Sequence, residues 1–445
     1  MKHNLQKSMS LLLIALLAMT AIFTQPITAS AAETLDLEAE SAILVDFETG
    51  KILYEKNADM ALPPASMTKM MTEYLVWEAI KNGEISWETT TQVSDYPYSI
   101  SADPSFSGVG LTQDKDYTVK ELYNAMAINS DNAATIVLAE LIAGSEGKFV
   151  KMMNEKAKEM GLPDYKFVNS TGLSNSSLGE NYPEGTEPDA NNLLSARSAA
   201  LLAYNLIKDY PKALEISSMP TAEFDGMTIR NWNYMLPHEA TYLKQYHYEG
   251  IDGLKTGYTD LAGYCFTGTA ERNDQRFISV VMKTKSEEAR FAQTAKLMDH
   301  GFSQFESKEI FPKGYQLKGE SDIPVAKGKE EKVEVAVDKA FKAPVQNGQK
   351  KKYSVEYKID KDKLNENGEL IAPIEKGEKI GAAKLVFNGE TDYGYIQPDK
   401  KSQTAPLVTK DAVEKSNWFM LTLGAIGDFF ANLFNTIVDT VKGWF

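Results

Sequence analysis

The sequence predicts an α+β fold: one antiparallel sheet with a helical cluster packed on it, then a small all-β domain and a C-terminal amphipathic helix. Three observations predict it. Strand-like runs stand at both ends of residues 32–305, while helical periodicity fills the middle. Over residues 306–400, valines and tyrosines alternate with charged residues at period two. After a polar stretch at 401–416, which reads as a linker, residues 417–445 turn strongly apolar with a polar stripe at helical spacing.

The chain has 445 residues, enough for two or three domains, and its 43% hydrophobic and 24% charged content is that of a globular protein. Residues 1–31 stand apart. Lys2 and Lys7 give a positive start, 9–23 carries no charge, and Ala29-Ser30-Ala31 fits a small-residue cleavage site. That order is a secretory signal peptide, its apolar run being short for a membrane span. The protein is therefore expected outside the cytoplasm, and with Cys265 as its single cysteine it has no intramolecular disulfide.

In the first domain, 41–46 and 51–56 read as strands around the turn Glu48-Thr49-Gly50. Residues 67–80 have helical periodicity that stops near Gly83. Thr118 with Glu121 forms a capping box and opens a helix toward Ile128. Helices follow over 132–142, 148–160 and 195–209, each ended by a nearby Gly or Pro. Residues 263–270 and 276–283 alternate like paired strands, and 287–300 is a helix. In the second domain, Val333, Val335 and Val337 mark one strand and Tyr353, Val355, Tyr357 and Ile359 another. Asn388-Gly389 predicts a hairpin joining 383–387 to 390–396.

A net charge of −15 argues against a nucleic-acid ligand, whose phosphates demand a basic face. His3, His238, His247 and His300 are scattered, with no pair at metal-ligand spacing, so neither a metal nor another cofactor is expected.

Chemistry enters with three short motifs. Ser66-Met67-Thr68-Lys69 opens the first long helix, and residues three apart on a helix share a face. A serine is a weak nucleophile until a base takes its proton, and a lysine serves if burial and nearby positive charge keep it neutral. The helix N-terminus also sets the Ser66 N–H where an oxyanion can be held. Ser130-Asp131-Asn132 falls at a break between two helices, and Lys255-Thr256-Gly257 precedes strand-like sequence. Singly, each has a plain reading: a helix start, an N-cap and a polar strand start. Ser145 and Lys148 repeat the first spacing as a solvated helix start. The ordered triplet is different, because beta-lactamases and penicillin-binding proteins share it.

The sequence resembles the penicillin-recognising serine hydrolases. It is most similar to the low-molecular-mass penicillin-binding proteins of the penicillin-binding protein 5 type, which are D-alanyl-D-alanine carboxypeptidases. Ala65-Ser66-Met67-Thr68-Lys69, Asn129-Ser130-Asp131-Asn132 and Asp252-Gly253-Leu254-Lys255-Thr256-Gly257 match the family pattern. Asn169-Ser170-Thr171-Gly172-Leu173 and Ser195-Ala196-Arg197 match it too. The resemblance implies a beta-lactamase/transpeptidase-like first domain that needs no cofactor. Its substrate is the peptidoglycan stem peptide ending in D-Ala-D-Ala, and beta-lactams acylate it. Ser66 is implied as nucleophile, Lys69 as general base and Ser130 as proton relay. Lys255 supplies positive charge, Asn132 binds the substrate peptide, and Thr256 and Gly257 line the carboxylate pocket. The N–H groups of Ser66 and Tyr258 form the oxyanion hole. Lys285 and Arg290 are both candidates for the cation that holds the substrate carboxylate.

Two features leave alternatives open. Glu187-Pro188-Asp189-Ala190-Asn191 has the look of the water-activating element of class A beta-lactamases, against a plain loop so close to the helix at 195. Cys265 reads as a buried apolar residue rather than a reactive thiol. The rivals are thus a beta-lactamase and a non-catalytic penicillin sensor or wall-binding protein.

The last segment is 28 residues from Trp418, long enough to span a bilayer. Yet Asp428, Asn432, Asn435, Asp439 and Lys442 form one helical stripe, with Ile426, Phe430, Leu433, Ile437, Val441 and Trp444 largely opposite. Spanning would bury both aspartates in lipid at a cost on the order of 2.5–3.5 kcal/mol each. Lying in the interface keeps the stripe in water. The expectation is a helix lying on the outer face of the cytoplasmic membrane. Truncation after Lys415 should release the protein from membranes, and a C-terminal tag on the full chain should be reached by protease from outside. A tag protected until the cytoplasm is opened would show a span.

Overall fold

The computed structural model describes residues 35–346, 349–417 and Val438. The expected leader and, apart from Val438, the expected tail helix lie outside the described residues. Among the described residues no helix is long and apolar enough to cross a membrane.

The sheet of the first domain is built from both ends of that domain. It comprises β1 (Ser41–Asp46), β2 (Ile52–Lys56), β3 (Ile251–Thr259), β4 (Gly263–Arg272) and β5 (Gln275–Thr284). Their order is β2-β1-β5-β4-β3, with every neighbour antiparallel. Alternation fixes the faces. Ile43, Val45, Ile278, Val280 and Met282 face the helical cluster, within one buried core. Leu44 and Phe277 face the opposite way, against Gly301 of α6 (Glu287–Gln304). A Cβ on Gly301 would come within 2.9 Å of the Phe277 ring, so the bare glycine lets helix and sheet close up.

Five other helices frame the site: α1 (Lys69–Lys81), α2 (Val119–Asn129), α3 (Asn132–Ala143), α4 (Glu146–Met160) and α5 (Ala196–Asp209). The helix expected from Met67 begins with a separate 3-10 turn, Ala65–Thr68, which sets Ser66 ahead of the regular helix. The capping box at the start of α2 is formed: the Thr118 hydroxyl accepts from the Glu121 N–H, and the Glu121 carboxylate accepts from the Thr118 N–H. α2 ends at Ser130, which lies in the left-handed region at φ +63, and Asp131 caps α3 immediately after. This tight corner places the second motif at the mouth of the sheet edge.

The second domain has β6 (Phe305–Phe311), β7 (Asp322–Ala326), β8 (Lys332–Val337), β9 (Phe341–Gln346), β10 (Tyr353–Ile359), β11 (Leu370–Ile371), β12 (Lys379–Phe387) and β13 (Thr404–Thr409). A six-stranded sheet runs β10-β12-β13-β8-β7-β11, and β6 pairs with β9. Two expectations are corrected here. The polar stretch 401–416 is no linker: β13 pairs with β8 and β12, and its alternate residues Ala405, Leu407 and Thr409 are buried. Val413 then bridges to Ile374. Nor does Asn388-Gly389 turn a hairpin, since β12 pairs with β10 and β13. Residues 390–396 instead cross to the first domain. Tyr395 bridges to Lys51, and the Ile396 N–H donates to the Gly50 carbonyl at 2.8 Å.

Gly257 on β3 lies against the turn that carries Ser66. A Cβ there would stand 2.4 Å from the Pro64 carbonyl oxygen and 3.2 Å from the Ser66 nitrogen. Gly257→Ala should therefore push Ser66 off the sheet edge and slow penicillin acylation by about 100-fold, as ångström-scale misplacement does. Stopped-flow acylation against wild type is the measurement, and an unchanged rate would mean that the turn tolerates the shift.

Candidate active site

The site is assembled around one buried lysine. Lys69 is fully buried, and its Nζ donates to Ser66 Oγ at 2.9 Å, to Asn132 Oδ1 at 2.8 Å and to the Thr171 carbonyl at 2.8 Å. Those acceptors belong to the Ser66 turn, the start of α3 and the 169–173 loop. Burial, and after it the Lys255 charge, pulls the Lys69 pKa well below the usual lysine range. Neutral Lys69 is then within reach as a base for the Ser66 hydroxyl.

Local backbone holds each part. Ala65, just before Ser66, sits at φ +47, a sparsely populated conformation for alanine. Gly172, at φ +92, presses on that residue; a Cβ on it would lie 1.9 Å from the Ala65 carbonyl oxygen. The Asn169 carboxamide oxygen accepts from the N–H groups of Thr171 and Gly172, fixing the loop whose carbonyl receives Lys69. Asp131 Oδ1 accepts from the Ala134 N–H and Oδ2 from the Val109 N–H, both at 2.6 Å. Asn132 Nδ2 donates to the Ser107 carbonyl at 3.1 Å, which aims its oxygen at Lys69.

A cavity of about 280 Å3 opens over Ser66, lined by Ser130, Thr256, Gly257, Tyr258, Trp232 and Arg290 among others. Of the sequence-nominated residues, Lys69, Asn132 and Lys255 lie behind it, buried. Among the described residues the Ser130 hydroxyl is buried without a hydrogen-bond partner. Tyr258 is 49% exposed, and its hydroxyl turns away to Asp260 at 2.8 Å, so its backbone is what it offers at the cavity. Between the two cation candidates the geometry discriminates. Arg290 is buried at the cavity, held by Glu287 at 2.9 Å, with its Nε lacking a partner among the described residues. Lys285 is exposed and paired with Glu38. Ser145 caps α4, with its hydroxyl accepting from the Lys148 N–H, as a helix start does. Burial pushes the Cys265 thiol up to about 11, so it is not a thiolate.

Sequence reasoning passed over Ser107, Trp232 and Glu287, which line the cavity from stretches without any motif. It quoted Thr171 without a role. It also passed over Glu73, buried one helical turn beyond Lys69.

Known proteins carry the same architecture. The family described as D-alanyl-D-alanine carboxypeptidase matches residues 27–286, and the penicillin-binding protein 5 C-terminal domain matches 305–415. The chain belongs to the D-alanyl-D-alanine carboxypeptidase family. It is 30% identical to the carboxypeptidase DacF of Bacillus subtilis, over 88% of this chain and 90% of that one. DacA of Escherichia coli is 29% identical over 94% of this chain and 95% of its own length. Among solved structures, a peptidoglycan synthesis regulatory factor (PBP3) of Streptococcus pneumoniae superposes with a TM-score of 0.69 at 37% identity. It covers 85% of this chain and 99% of that one. Penicillin-binding protein 5 of Haemophilus influenzae superposes with a TM-score of 0.66 at 27% identity, covering 85% and 98%. The protein is accordingly a serine-type D-alanyl-D-alanine carboxypeptidase acting on peptidoglycan and binding beta-lactams.

Within this family member, Glu187 is exposed in a loop. Its carbonyl accepts from Asn175 at 2.8 Å, and it is absent from the cavity lining. Glu187→Gln should leave the lifetime of the penicilloyl-enzyme unchanged, read by mass spectrometry after a pulse of penicillin. A large slowing of deacylation would assign it to water activation.

Proposed function

We propose that Ser66 is the nucleophile and Lys69 its general base, in an enzyme that removes the terminal D-alanine from stem pentapeptides. The observation that carries this is the 2.9 Å contact between Lys69 Nζ and Ser66 Oγ, made by a lysine whose burial favours the neutral form. The substrate strand lies along the free edge of β3, which is paired only with β4, with Asn132 on its other side. Arg290 and Thr256 receive the terminal carboxylate, and Lys255 adds positive charge behind them. Lys69 takes the Ser66 proton as Oγ bonds to the carbonyl carbon. The N–H groups of Ser66 and Tyr258 hold the resulting oxyanion. When the C–N bond breaks, the proton passes through the unpartnered Ser130 hydroxyl to the leaving amine, and D-alanine departs. Water then cleaves the acyl-enzyme ester. A beta-lactam acylates Ser66 by the same attack, but its opened ring stays tethered.

The tail from Trp418 belongs to the same proposal: lying on the outer face of the cytoplasmic membrane, it tethers the enzyme, with the second domain as a pedestal. The stripe of Asp428, Asn432, Asn435, Asp439 and Lys442 supports this reading.

Mature enzyme incubated with a pentapeptide should release one D-alanine and turn over penicillin slowly. Ser66→Ala should abolish both peptide cleavage and labelling by a fluorescent penicillin. Lys69→Ala should slow acylation by about 100-fold or more, the scale of a lost general base. Label persisting on Ser66→Ala would refute the nucleophile. Acylation of Lys69→Ala at the normal rate would require another base.

A further inference from the structure

The Ser145–Lys148 spacing that copies the first motif opens α4, and the residue after its cap turns inward. Glu146 is 4% exposed, although it is absent from the lining of the cavity over Ser66. Its Oε1 accepts from the Ser170 N–H at 2.8 Å and from the Ser170 hydroxyl at 2.5 Å. Its Oε2 accepts from the Tyr96 hydroxyl at 2.9 Å. Oε1 can accept whether or not Oε2 carries a proton, so the hold on Ser170 does not depend on the charge of the carboxyl. A Cβ on the neighbouring Gly147 would stand 2.9 Å from the Glu184 carbonyl oxygen, so the first turn of α4 is itself closely packed.

Ser170 and Thr171 carry that hold to the site. The Ser170 carbonyl accepts from the Thr72 hydroxyl at 2.9 Å, on the helix that begins with Lys69. The Thr171 carbonyl accepts from Lys69 Nζ at 2.8 Å. A continuous set of contacts thus runs from Glu146, through Ser170 and one peptide unit, to the lysine. The donor count shows what it does. A neutral lysine amine has two N–H groups and one lone pair. Asn132 Oδ1 and the Thr171 carbonyl take the two N–H groups, which leaves the lone pair facing Ser66 Oγ at 2.9 Å. If the Thr171 carbonyl moves, the amine can turn an N–H toward Ser66, and a base that presents a hydrogen there cannot accept one. The Asn169 bonds to Thr171 and Gly172 hold this loop from within, and Glu146 holds it from α4.

We propose that Glu146 is a positioning residue of the acylation step: by holding Ser170 it fixes the Thr171 carbonyl, which orients the Lys69 amine with its lone pair on the Ser66 hydroxyl. The inference rests on the roles proposed above for Ser66 and Lys69. Glu146 acts through Ser170 and Thr171 and not by contact with substrate.

The test is stopped-flow acylation of the full chain by a fluorescent penicillin, which separates the acylation rate constant from the non-covalent dissociation constant. Glu146→Ala should lower the rate constant by about 100-fold, the scale of an ångström-sized misplacement. It should leave the dissociation constant unchanged, because Glu146 does not line the cavity. Glu146→Gln is the rescue: its carboxamide oxygen keeps both Ser170 bonds and its NH2 donates to the Tyr96 hydroxyl, so most of the rate should return. Ser170→Ala removes the hydroxyl bond and keeps the backbone one, and should lower the same rate constant by less. That variant decides the matter if Glu146→Ala does not fold. A wild-type rate constant in Glu146→Ala, or in Ser170→Ala when it must decide alone, would overturn the proposal. So would Glu146→Gln as slow as Glu146→Ala, which would assign the effect to charge. A weakened dissociation constant in place of a slowed rate would overturn it too, by showing a disturbed cavity. Failure of the underlying reading is seen separately, as normal acylation by Lys69→Ala.

Discussion

The site depends on giving one buried lysine three acceptors. Each hydrogen-bond partner of Lys69 comes from a different segment, so the contact proposed to serve the chemistry belongs to a set that also locks the Ser66 turn, the start of α3 and the 169–173 loop together. An uncompensated ammonium at that depth would cost several kcal/mol; as an ammonium Lys69 donates to all three groups, and as a neutral amine it donates to Asn132 Oδ1 and the Thr171 carbonyl while its lone pair accepts from the Ser66 hydroxyl. That is the balance a general base requires. A tight ion pair would hold the lysine protonated, whereas a purely apolar pocket would leave its N–H groups unsatisfied.

The backbone around this lysine is arranged to bring two chain ends together. β3 carries Lys255 to the sheet edge, and α1 enters from the helical cluster. They meet where Gly257 and Gly172 let backbone touch backbone beside Ser66. The left-handed turns at Ala65 and Ser130 lie on either side of the cavity, one before the nucleophile and one at the partner serine. Strain at such positions persists only when the surroundings over-determine it. Here the Asn169 bonds and the Asp131 cap do so.

Much of this was legible because the chemistry restricts residue types at fixed spacing. The three motifs could be read as one site before any fold was known, and alternation and capping gave most of the elements around them to within a residue or two, although the helix expected over 287–300 runs on to Gln304 and Lys255-Thr256-Gly257 lies inside a strand rather than before one. What escaped has a physical reason. Glu73 stands in Met71-Thr72-Glu73-Tyr74, which reads as ordinary amphipathic helix, because sequence does not reveal that α1 is covered on nearly every side. Arg290 could not be told from Lys285, since only packing decides which cation is buried at the cavity and which pairs with Glu38 at the surface. The strand at 404–409 was hidden because it is short, carries Pro406 and follows lysines and glutamine. Of its buried residues Ala405, Leu407 and Thr409, only Leu407 is a strong apolar signal.

The same kind of argument explains why 390–396 leaves its own sheet. Lys51 follows the β1–β2 turn with its Nζ paired to Asp392 and lying over the Tyr395 ring at 4.9 Å. Lys400 donates to the Thr49 carbonyl at 2.6 Å, and backbone bonds join Ile52 to Gly394 and Ile396 to Gly50. A surface ion pair alone contributes little, but this one is partly buried, is backed by an aromatic face and sits within a row of backbone hydrogen bonds. The second domain is thereby fastened to the hairpin whose first strand lies beside β5 in the catalytic sheet. The edge that carries Lys255, β3, is at the other side of that sheet, beyond β4. The fastening therefore uses the opposite edge of the sheet and leaves the β3 edge free for the extended substrate chain proposed above.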